Sequence, residues 1–194
     1  KLKFILNTHH HYDHVGGNLK LKEKYGASIV GYKGDKERIP GIDILVDDQE
    51  IWIHKNFEAK IIHIPGHTLG HICFYFHKNN SVFTGDTLFS LGCGRIFEGT
   101  YKQMFDSLMK LKKLPINTKV FCGHEYTLQN SKFCTVHDKN NTNLKNKISD
   151  IKIKLNADLP TIPSTIKDEL ECNIFIRTNN LETFSKLRDL KDNF

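Results

Sequence analysis

The chain has 194 residues, of which 39% are hydrophobic and 26% charged, so it can bury a full core and is not intrinsically disordered. Its net charge of +6 comes from lysines scattered along the sequence, which gives weak support to nucleic-acid binding and suits a small acidic substrate equally well. No run of about 18 apolar residues and no signal-peptide pattern is visible, so we expect no membrane partner.

The first predicted strand, residues 2–6, begins almost at the start of the chain. We expect an upstream portion to be lacking, which would leave one sheet incomplete and its edge or face exposed. The five cysteines are an odd number without a C-x-x-C pair, so they argue against a disulfide framework and a structural zinc site. Their pattern favours a reducing, cytoplasmic location, or an organelle if an upstream segment carried a transit peptide.

Four predicted strands each end in a side chain that can bind a metal. Each strand is an apolar run rich in β-branched or aromatic residues, and a turn residue follows it. Because loops at corresponding strand ends of an α/β sheet converge on one crevice, we expect the four side chains to lie close together. They are His9, His67, Asp86 and His124.

The loop after the first strand, residues 9–14, reads H-x-H-x-D-H. In an extended segment two residues spaced by one face the same way, while the last two can turn towards a second point. One loop can thus serve two metal ions. A histidine cluster alone is often only a surface feature, but three further ligands at strand ends argue against that interpretation. The predicted ligands are His9, His11 and His67 for one ion, Asp13, His14 and His124 for the other, and Asp86 as a bridge.

Imidazole and carboxylate ligands without thiolate suit zinc, iron or manganese. Two other histidines near these motifs are placed outside the ligand set. His10 points away from its neighbours if the loop is extended, and His71 is expected to contact the ligands without binding metal.

Helical patterns dominate the later part of the chain. Thr100 and Gln103 form a predicted capping box, and Pro115 ends that helix. After Tyr126 apolar residues recur at helical spacing, and Ser164 or Thr165 supplies a further helix cap. The residues at helical spacing are Leu144, Ile148, Ile151 and Leu155.

Several motifs resemble those of one family. The blocks "THHHYDHVGGN", "PGHTLGHICF", "VFTGDTLF", "GCGRIFEGT" and "FCGHEYT", with the tail "LRDLKDNF", look like those of the glyoxalase II (hydroxyacylglutathione hydrolase) family in the metallo-β-lactamase superfamily. The resemblance covers nearly the whole chain. The H-x-H-x-D-H motif marks only the superfamily, whereas "GCGRIFEGT", "CGHEY" and the tail are specific to the thioester hydrolases.

The resemblance implies an α+β fold, a four-layer αβ/βα sandwich lacking its N-terminal strands and followed by a small α-helical domain. Residues 1–125 would hold the dinuclear metal site, and residues 126–194 would bind glutathione. The implied activity is hydrolysis of S-D-lactoylglutathione and related thioesters to glutathione and D-lactate, the second step of methylglyoxal detoxification. A metal-bridged hydroxide oriented by Asp13 would attack. Zinc is the expected metal, with iron and manganese as alternatives, and a monomer acting on this small molecule is expected.

Five substrate contacts follow from the same resemblance. Arg95 and Tyr126 would lie near the glutathione backbone, while Arg188 and Lys191 share a helix face and would bind its terminal carboxylate. Phe97 stands where the family commonly has tyrosine, and the missing hydroxyl is worth about 0.5–1.5 kcal/mol of binding.

Three alternatives remain open from the sequence. A persulfide dioxygenase of the same superfamily would use a single iron with two histidines and an aspartate, and oxygen uptake would reveal it. A nucleic-acid-processing relative fits the basic charge, but no basic arm with interleaved aromatic residues supports it. A truncated chain that binds metal or a partner without turnover is the non-enzymatic alternative.

Overall fold

The computed structural model describes all 194 residues. It contains eleven strands and seven α-helices. The strands are β1 (Phe4–Leu6), β2 (Ser28–Tyr32), β3 (Ile44–Val46), β4 (Ile51–His54), β5 (Phe57–His63), β6 (Ile72–Phe76), β7 (Ser81–Gly85), β8 (Leu88–Phe89), β9 (Gly92–Cys93), β10 (Lys119–Cys122) and β11 (Ser164–Thr165). The helices are α1 (Tyr12–Val15), α2 (Asn18–Tyr25), α3 (Tyr101–Leu111), α4 (Thr127–His137), α5 (Thr142–Asn156), α6 (Ile166–Cys172) and α7 (Leu181–Asp192).

The strands form a three-stranded parallel sheet, a six-stranded mixed sheet and one small hairpin. The three-stranded sheet has the order β1-β2-β3, and the six-stranded sheet has the order β11-β10-β7-β6-β5-β4. The hairpin pairs β8 with β9. None of the helices is both long and apolar enough to span a membrane.

Three apolar clusters separate four layers. Strand β5 contributes to two of these clusters, because successive side chains of a strand point to opposite faces of its sheet. Ala59 and Ile61 pack into the cluster between the two sheets, whereas Ile62 packs into the large cluster between the six-stranded sheet and the C-terminal helices. A third cluster, around Ile29, fills the outer face of the three-stranded sheet. This αβ/βα sandwich with a helical C-terminal region confirms the predicted fold class.

The order of the strands brings the predicted ligands to one edge. Strand β6 is antiparallel to both β5 and β7, and β7 is parallel to β10, so the carboxyl ends of β5, β7 and β10 face the same way. Strand β1 belongs to the other sheet, but its end is joined to this edge because Ile72 N–H donates to the Thr8 carbonyl at 2.9 Å.

Helices α3, α5 and α6 carry the capping residues and the apolar stripe that the sequence predicts. Thr100 and Gln103 form both hydrogen bonds of a capping box at α3. Thr165, the second of the two predicted candidates, caps α6 in the same way with Asp168. Helix α5 carries the predicted apolar stripe, of which Leu144 and Ile151 are fully buried.

The first ligand loop changes direction after His11. The H-x-H-x-D-H loop is not extended throughout, because the chain turns into the short helix α1 directly after His11. The helical turn moves Asp13 and His14 out of line with His9 and His11. The two halves of the motif are therefore separated by a change of backbone conformation, in agreement with the turn towards a second point that the sequence indicated.

Candidate functional site

Seven predicted ligands meet at the carboxyl edge of the sheets. Their nitrogen and oxygen atoms form three overlapping groups, and within each group these atoms lie within 4.8 Å of one another. The groups share His9 and His14, so they form one continuous cluster. They are His9, His11 and His67; His9, His14 and Asp86; and Asp13, His14 and His124.

Two glycines allow the loops to approach so closely. Gly85, directly before Asp86, has a φ of +48°, and a Cβ atom there would lie 2.5 Å from Thr8 Oγ1. A Cβ atom at Gly123, directly before His124, would lie 2.3 Å from Asp86 Oδ1. A Cβ atom at either position would force the Thr8 or Asp86 side chain to move, so glycine lets the loops approach this closely.

Asp86 lies at the centre of the cluster. Its Oδ1 is 3.3 Å from His14 Nε2, while its Oδ2 is 3.4 Å from His124 Nε2 and 3.6 Å from His67 Nε2. The other carboxylate, Asp13, is more exposed and places Oδ2 at 3.1 Å from His124 Nε2. One acid therefore faces histidines from both halves of the cluster, whereas the second lies at its solvent side.

Burial keeps most of these imidazoles neutral. Desolvation lowers the pKa values of His9, His11 and His67, and neighbouring imidazoles lower them further. His14 differs: burial opposes its charged form, but the nearby Asp86 and Asp13 carboxylates raise its pKa. Neutral imidazole is the form that binds a metal ion, so the buried half of the cluster is prepared for one.

The orientations of the nitrogen and oxygen atoms that would bind metal also fit a metal ion. His67 Nδ1 lies 2.7 Å from the Arg95 carbonyl, which directs Nε2 into the cluster, and a second-layer hydrogen bond of this kind is usual for metal-binding histidine. Three buried donor atoms, His9 Nε2, His14 Nε2 and Asp86 Oδ1, have no hydrogen-bond partner. Buried polar atoms are normally paired, so unpaired nitrogen and oxygen atoms that converge here match the ligands of a divalent cation.

Sequence reasoning missed a charged network beneath the cluster. His10 Nδ1 lies 3.2 Å from Asp35 Oδ2, and Arg38 contacts both Asp35 and Glu98, the latter at 2.6 Å. Glu98 in turn accepts from Leu69 N–H at 2.7 Å. His10 and Glu98 lie in motifs noted from the sequence, whereas Asp35 and Arg38 carried no signal that could have identified them.

His71 supports the cluster from inside the fold. It is fully buried, its Nε2 accepts from Asp86 N–H at 3.0 Å, and its ring stacks on His9 with centroids 4.6 Å apart. It thus contacts two predicted ligands, as expected, and lies outside the three donor groups.

Aromatic rings flank the cluster on two sides. The exposed ring of Phe97 lies edge-on to His67 and His11, with centroids 5.2 and 5.7 Å away. On the other side, the half-exposed Tyr126 stacks on His124 at 5.0 Å. These two predicted substrate contacts therefore bound an opening above the donor atoms.

The basic residues predicted to bind substrate occupy different environments. Arg95 is largely exposed, and its Nε lies 3.2 Å from Asp192 Oδ1. Arg188 is buried: its guanidinium donates to the Cys93 carbonyl at 2.9 Å and to Asp192 at 2.8 Å, and its Nε has no partner. Asp192 thus links both arginines, a role that the sequence motif did not reveal.

Lys191, one turn along α7 from Arg188, packs against aromatic rings. Its ammonium group lies 5.3 Å from the Phe133 centroid and 5.2 Å from the Phe194 centroid. Burial and the neighbouring Arg188 charge lower the pKa of Lys191. The structure therefore places Arg188 and Lys191 on one side of α7, close to the hairpin that precedes Arg95.

Comparisons with known proteins agree with this geometry. The sequence model of the metallo-beta-lactamase superfamily matches residues 1–124, and that of the hydroxyacylglutathione hydrolase C-terminus matches residues 125–194. A hydroxyacylglutathione hydrolase of Pelagibacter ubique is 75% identical over all of this chain and 81% of its own length. The hydroxyacylglutathione hydrolase of Methylococcus capsulatus is 44% identical over 96% of this chain and 73% of its own.

Among solved structures, ETHE1 from Myxococcus xanthus superposes with a TM-score of 0.72. The superposition covers 97% of this chain and 69% of that protein at 23% identity, so it supports the fold alone. The donor cluster, the two matched regions and the close curated relatives agree: the chain belongs to the hydroxyacylglutathione hydrolase family of the metallo-β-lactamase superfamily.

Proposed function

We propose that this chain hydrolyses S-D-lactoylglutathione and related glutathione thioesters to glutathione and D-lactate, the second step of methylglyoxal detoxification. The observation that carries the proposal is the seven-donor cluster beside a C-terminal region that matches the hydroxyacylglutathione hydrolase family. The family binds divalent metal, and this cluster supplies the donors.

The two parts of the chain have different tasks in this proposal. Residues 1–125 hold the metal ions, and residues 126–194 help to bind glutathione. Two divalent ions would occupy the cluster, with zinc expected because imidazole and carboxylate donors suit it, and iron or manganese as alternatives. His9, His11 and His67 would hold one ion, and Asp13, His14 and His124 would hold the other. Asp86 would contribute to both sites, since its oxygens face histidines of each group.

When bound, the ions supply Lewis acidity and lower the pKa of water from 15.7 to about 7, which provides a nucleophile at neutral pH. The protein contributes orientation. The Arg95 carbonyl fixes the His67 ring, and His71 fixes the Asp86 backbone. Asp13 lies at the solvent side of the cluster, where its carboxylate accepts a hydrogen bond from the attacking water and aligns it.

No serine, cysteine or strong general acid is needed in this reaction. Water adds to the thioester carbonyl carbon, the carbon–sulfur bond breaks, and the sulfur leaves with the bonding electrons. A thiol has a pKa of about 8.5, so the thiolate departs readily and takes its proton from solvent. The five cysteines are unpaired, and four of them are buried, so none is presented as a nucleophile.

Substrate contacts surround the cluster. Tyr126 and Arg95 lie near the glutathione backbone, and Phe97 provides an apolar wall without a hydroxyl group. Arg188 and Lys191 lie on one side of α7 and bind the terminal carboxylate.

The test is hydrolysis of S-D-lactoylglutathione by protein whose metal content has been counted, followed as loss of the thioester. Turnover that requires metal supports the proposal. Oxygen consumption with glutathione persulfide and one iron per chain, without thioester hydrolysis, would contradict it and favour a dioxygenase.

A further inference from the structure

A fully buried carboxylate outside the donor cluster has no part in the chemistry described above. Glu169, in α6, is 0% exposed and has no cationic side chain paired with it. Burial raises the pKa of Glu169 to about 7. A buried unpaired acid normally destabilises the folded state, so the contacts that Glu169 makes should explain its presence.

The contacts of Glu169 converge on the turn between β8 and β9, residues 89–92. Its Oε2 accepts from the backbone N–H of Leu91 at 2.9 Å. The same oxygen lies 2.9 Å from Asn173 Nδ2, which is also 3.0 Å from the Gly92 carbonyl and 3.3 Å from the Phe89 carbonyl. Glu169 and Asn173 therefore contact three polar backbone groups of this turn: Leu91 N–H and the carbonyls of Phe89 and Gly92.

The turn needs such support because its backbone is strained. Leu91 adopts a φ of +59°, which a side chain other than glycine rarely tolerates, and the residue is completely buried. Conformations of this kind cost about 1–3 kcal/mol and persist only where the surroundings fix them. The hydrogen bond from Leu91 N–H to Glu169, across 78 residues of sequence, is one contact that fixes this conformation.

Both ends of the turn lead to proposed substrate contacts. On one side, the Phe89 ring packs edge-on against Tyr126 at 5.3 Å. On the other side, the Cys93 carbonyl accepts from Arg188, and Arg95 follows two residues later. A shift of the turn would thus displace the side chains of Tyr126, Arg188 and Arg95 together.

We propose that Glu169 is a positioning residue for glutathione recognition, which fixes the 89–92 turn and through it the surface formed by Arg95, Tyr126 and Arg188. The inference rests on the proposed function, because it concerns how that substrate is held. Glu169 acts because its side chain is long enough to place an acceptor oxygen at Leu91 N–H, and its negative charge is not required.

Two substitutions separate the effect of side-chain length from the effect of charge. Glu169→Gln keeps the length and the acceptor oxygen but removes the charge, whereas Glu169→Asp keeps the charge but shortens the side chain. We expect Glu169→Asp to raise KM for S-D-lactoylglutathione about tenfold, which corresponds to ~1.4 kcal/mol, with kcat nearly unchanged. Glu169→Gln should retain the wild-type KM.

A second readout is independent of turnover. The Kd of S-methylglutathione, a thioether that cannot be hydrolysed, should rise in Glu169→Asp and remain unchanged in Glu169→Gln when measured by calorimetry. Asn173→Ala removes the contacts to the Phe89 and Gly92 carbonyls and should raise KM and Kd in the same way.

A control accounts for loss of stability. Ile151→Ala removes a buried side chain from the same helical region without touching the turn, so it should lower the melting temperature and leave KM unchanged. Three results would overturn the inference: an unchanged KM in Glu169→Asp, an equal loss in Glu169→Gln, or a KM increase in Ile151→Ala. Failure of the wild-type protein to hydrolyse the thioester would instead count against the proposed function, and the Kd comparison would still decide the role of Glu169.

Discussion

The donor cluster and the helical region position their functional groups in different ways. In the cluster, loops at strand ends bring short side chains together, and three of the donor atoms have no hydrogen-bond partner. In the helical region, Arg188 and Glu169 are buried and donate to or accept from the backbone of a neighbouring hairpin. We conclude that a substitution in the cluster affects chemistry first, whereas one in the helical region affects binding and stability together.

The largest effect is expected at the centre of the cluster. Asp86→Ala should remove most of the activity, by more than about 100-fold, since loss of even an outer partner of a metal ligand typically costs 10–100-fold. It should also remove at least one metal ion per chain, measured by elemental analysis. Asp106→Ala, an exposed carboxylate on α3 that pairs with Lys102, is the matched control and should retain activity and metal. Full activity with two metals in Asp86→Ala would show that Asp86 is not the bridge.

A second prediction tests the dual role of the helical region. Lys191→Ala and Arg188→Ala should both raise KM for the glutathione thioester about tenfold or more, because a hydrogen bond to a charged group is worth about 1.5–3 kcal/mol. A short thioester that lacks the peptide should be less affected. Only Arg188→Ala should also lower the melting temperature clearly, since it leaves the Cys93 carbonyl without its donor.

Lys186→Ala is the control for this pair, because Lys186 is exposed on α7 and contacts only Glu182 in an ion pair at 2.6 Å. It should change neither KM nor stability. An equal loss of activity on both the peptide and the short substrate in the α7 variants would argue against the glutathione site.

The third prediction concerns pH and stability. Burial raises the pKa of Glu169 from 4.5 to about 7 in the folded chain, so the folded state holds this proton more tightly than the unfolded state does. The contribution of Glu169 to stability is therefore full below about pH 4.5 and is lost as the pH rises to about 7. Glu169→Gln lacks this titration.

The difference in unfolding free energy between Glu169→Gln and the wild-type protein should accordingly shift in favour of the variant by at most about 3 kcal/mol over that range. Urea unfolding of both proteins at about pH 5 and about pH 8 measures it, and titrations common to both proteins cancel. A constant difference across the range would show that Glu169 does not titrate there.

The smallest effect is expected at the opening of the cluster. Phe97→Tyr adds one hydroxyl group beside the proposed substrate, and a neutral hydrogen bond contributes about 0.5–1.5 kcal/mol, so KM should fall by a few-fold. Phe57→Tyr, an equally exposed phenylalanine in β5, is the control and should leave KM unchanged. A KM that rises in Phe97→Tyr would mean that the apolar wall itself is what the substrate contacts.

Much of the architecture could be predicted because it depends on local patterns. Apolar runs that end in a ligand identify strands β1, β5, β7 and β10, and the capping box of Thr100 with Gln103 identifies the start of α3. The donor groups could be proposed from the same strand ends, since their convergence follows from how sheets are connected.

The supporting residues could not be predicted, because their partners are distant in sequence. Arg38 contacts Glu98 across 60 residues and Glu169 contacts Leu91 across 78, and no local pattern marks either pair. Helical spacing placed Arg188 and Lys191 on one face but could not show that Arg188 lies against the hairpin backbone. The motif indicated a turn after His11, but the sequence did not show that this turn is the short helix α1.

The most direct test of a two-metal thioester hydrolase is a titration of metal-stripped protein with zinc, with S-D-lactoylglutathione hydrolysis and bound metal measured at each point. The proposed arrangement of donors predicts that activity rises until about two ions are bound per chain and then stays constant. Full activity at one ion per chain, or no hydrolysis with two ions bound, would contradict it.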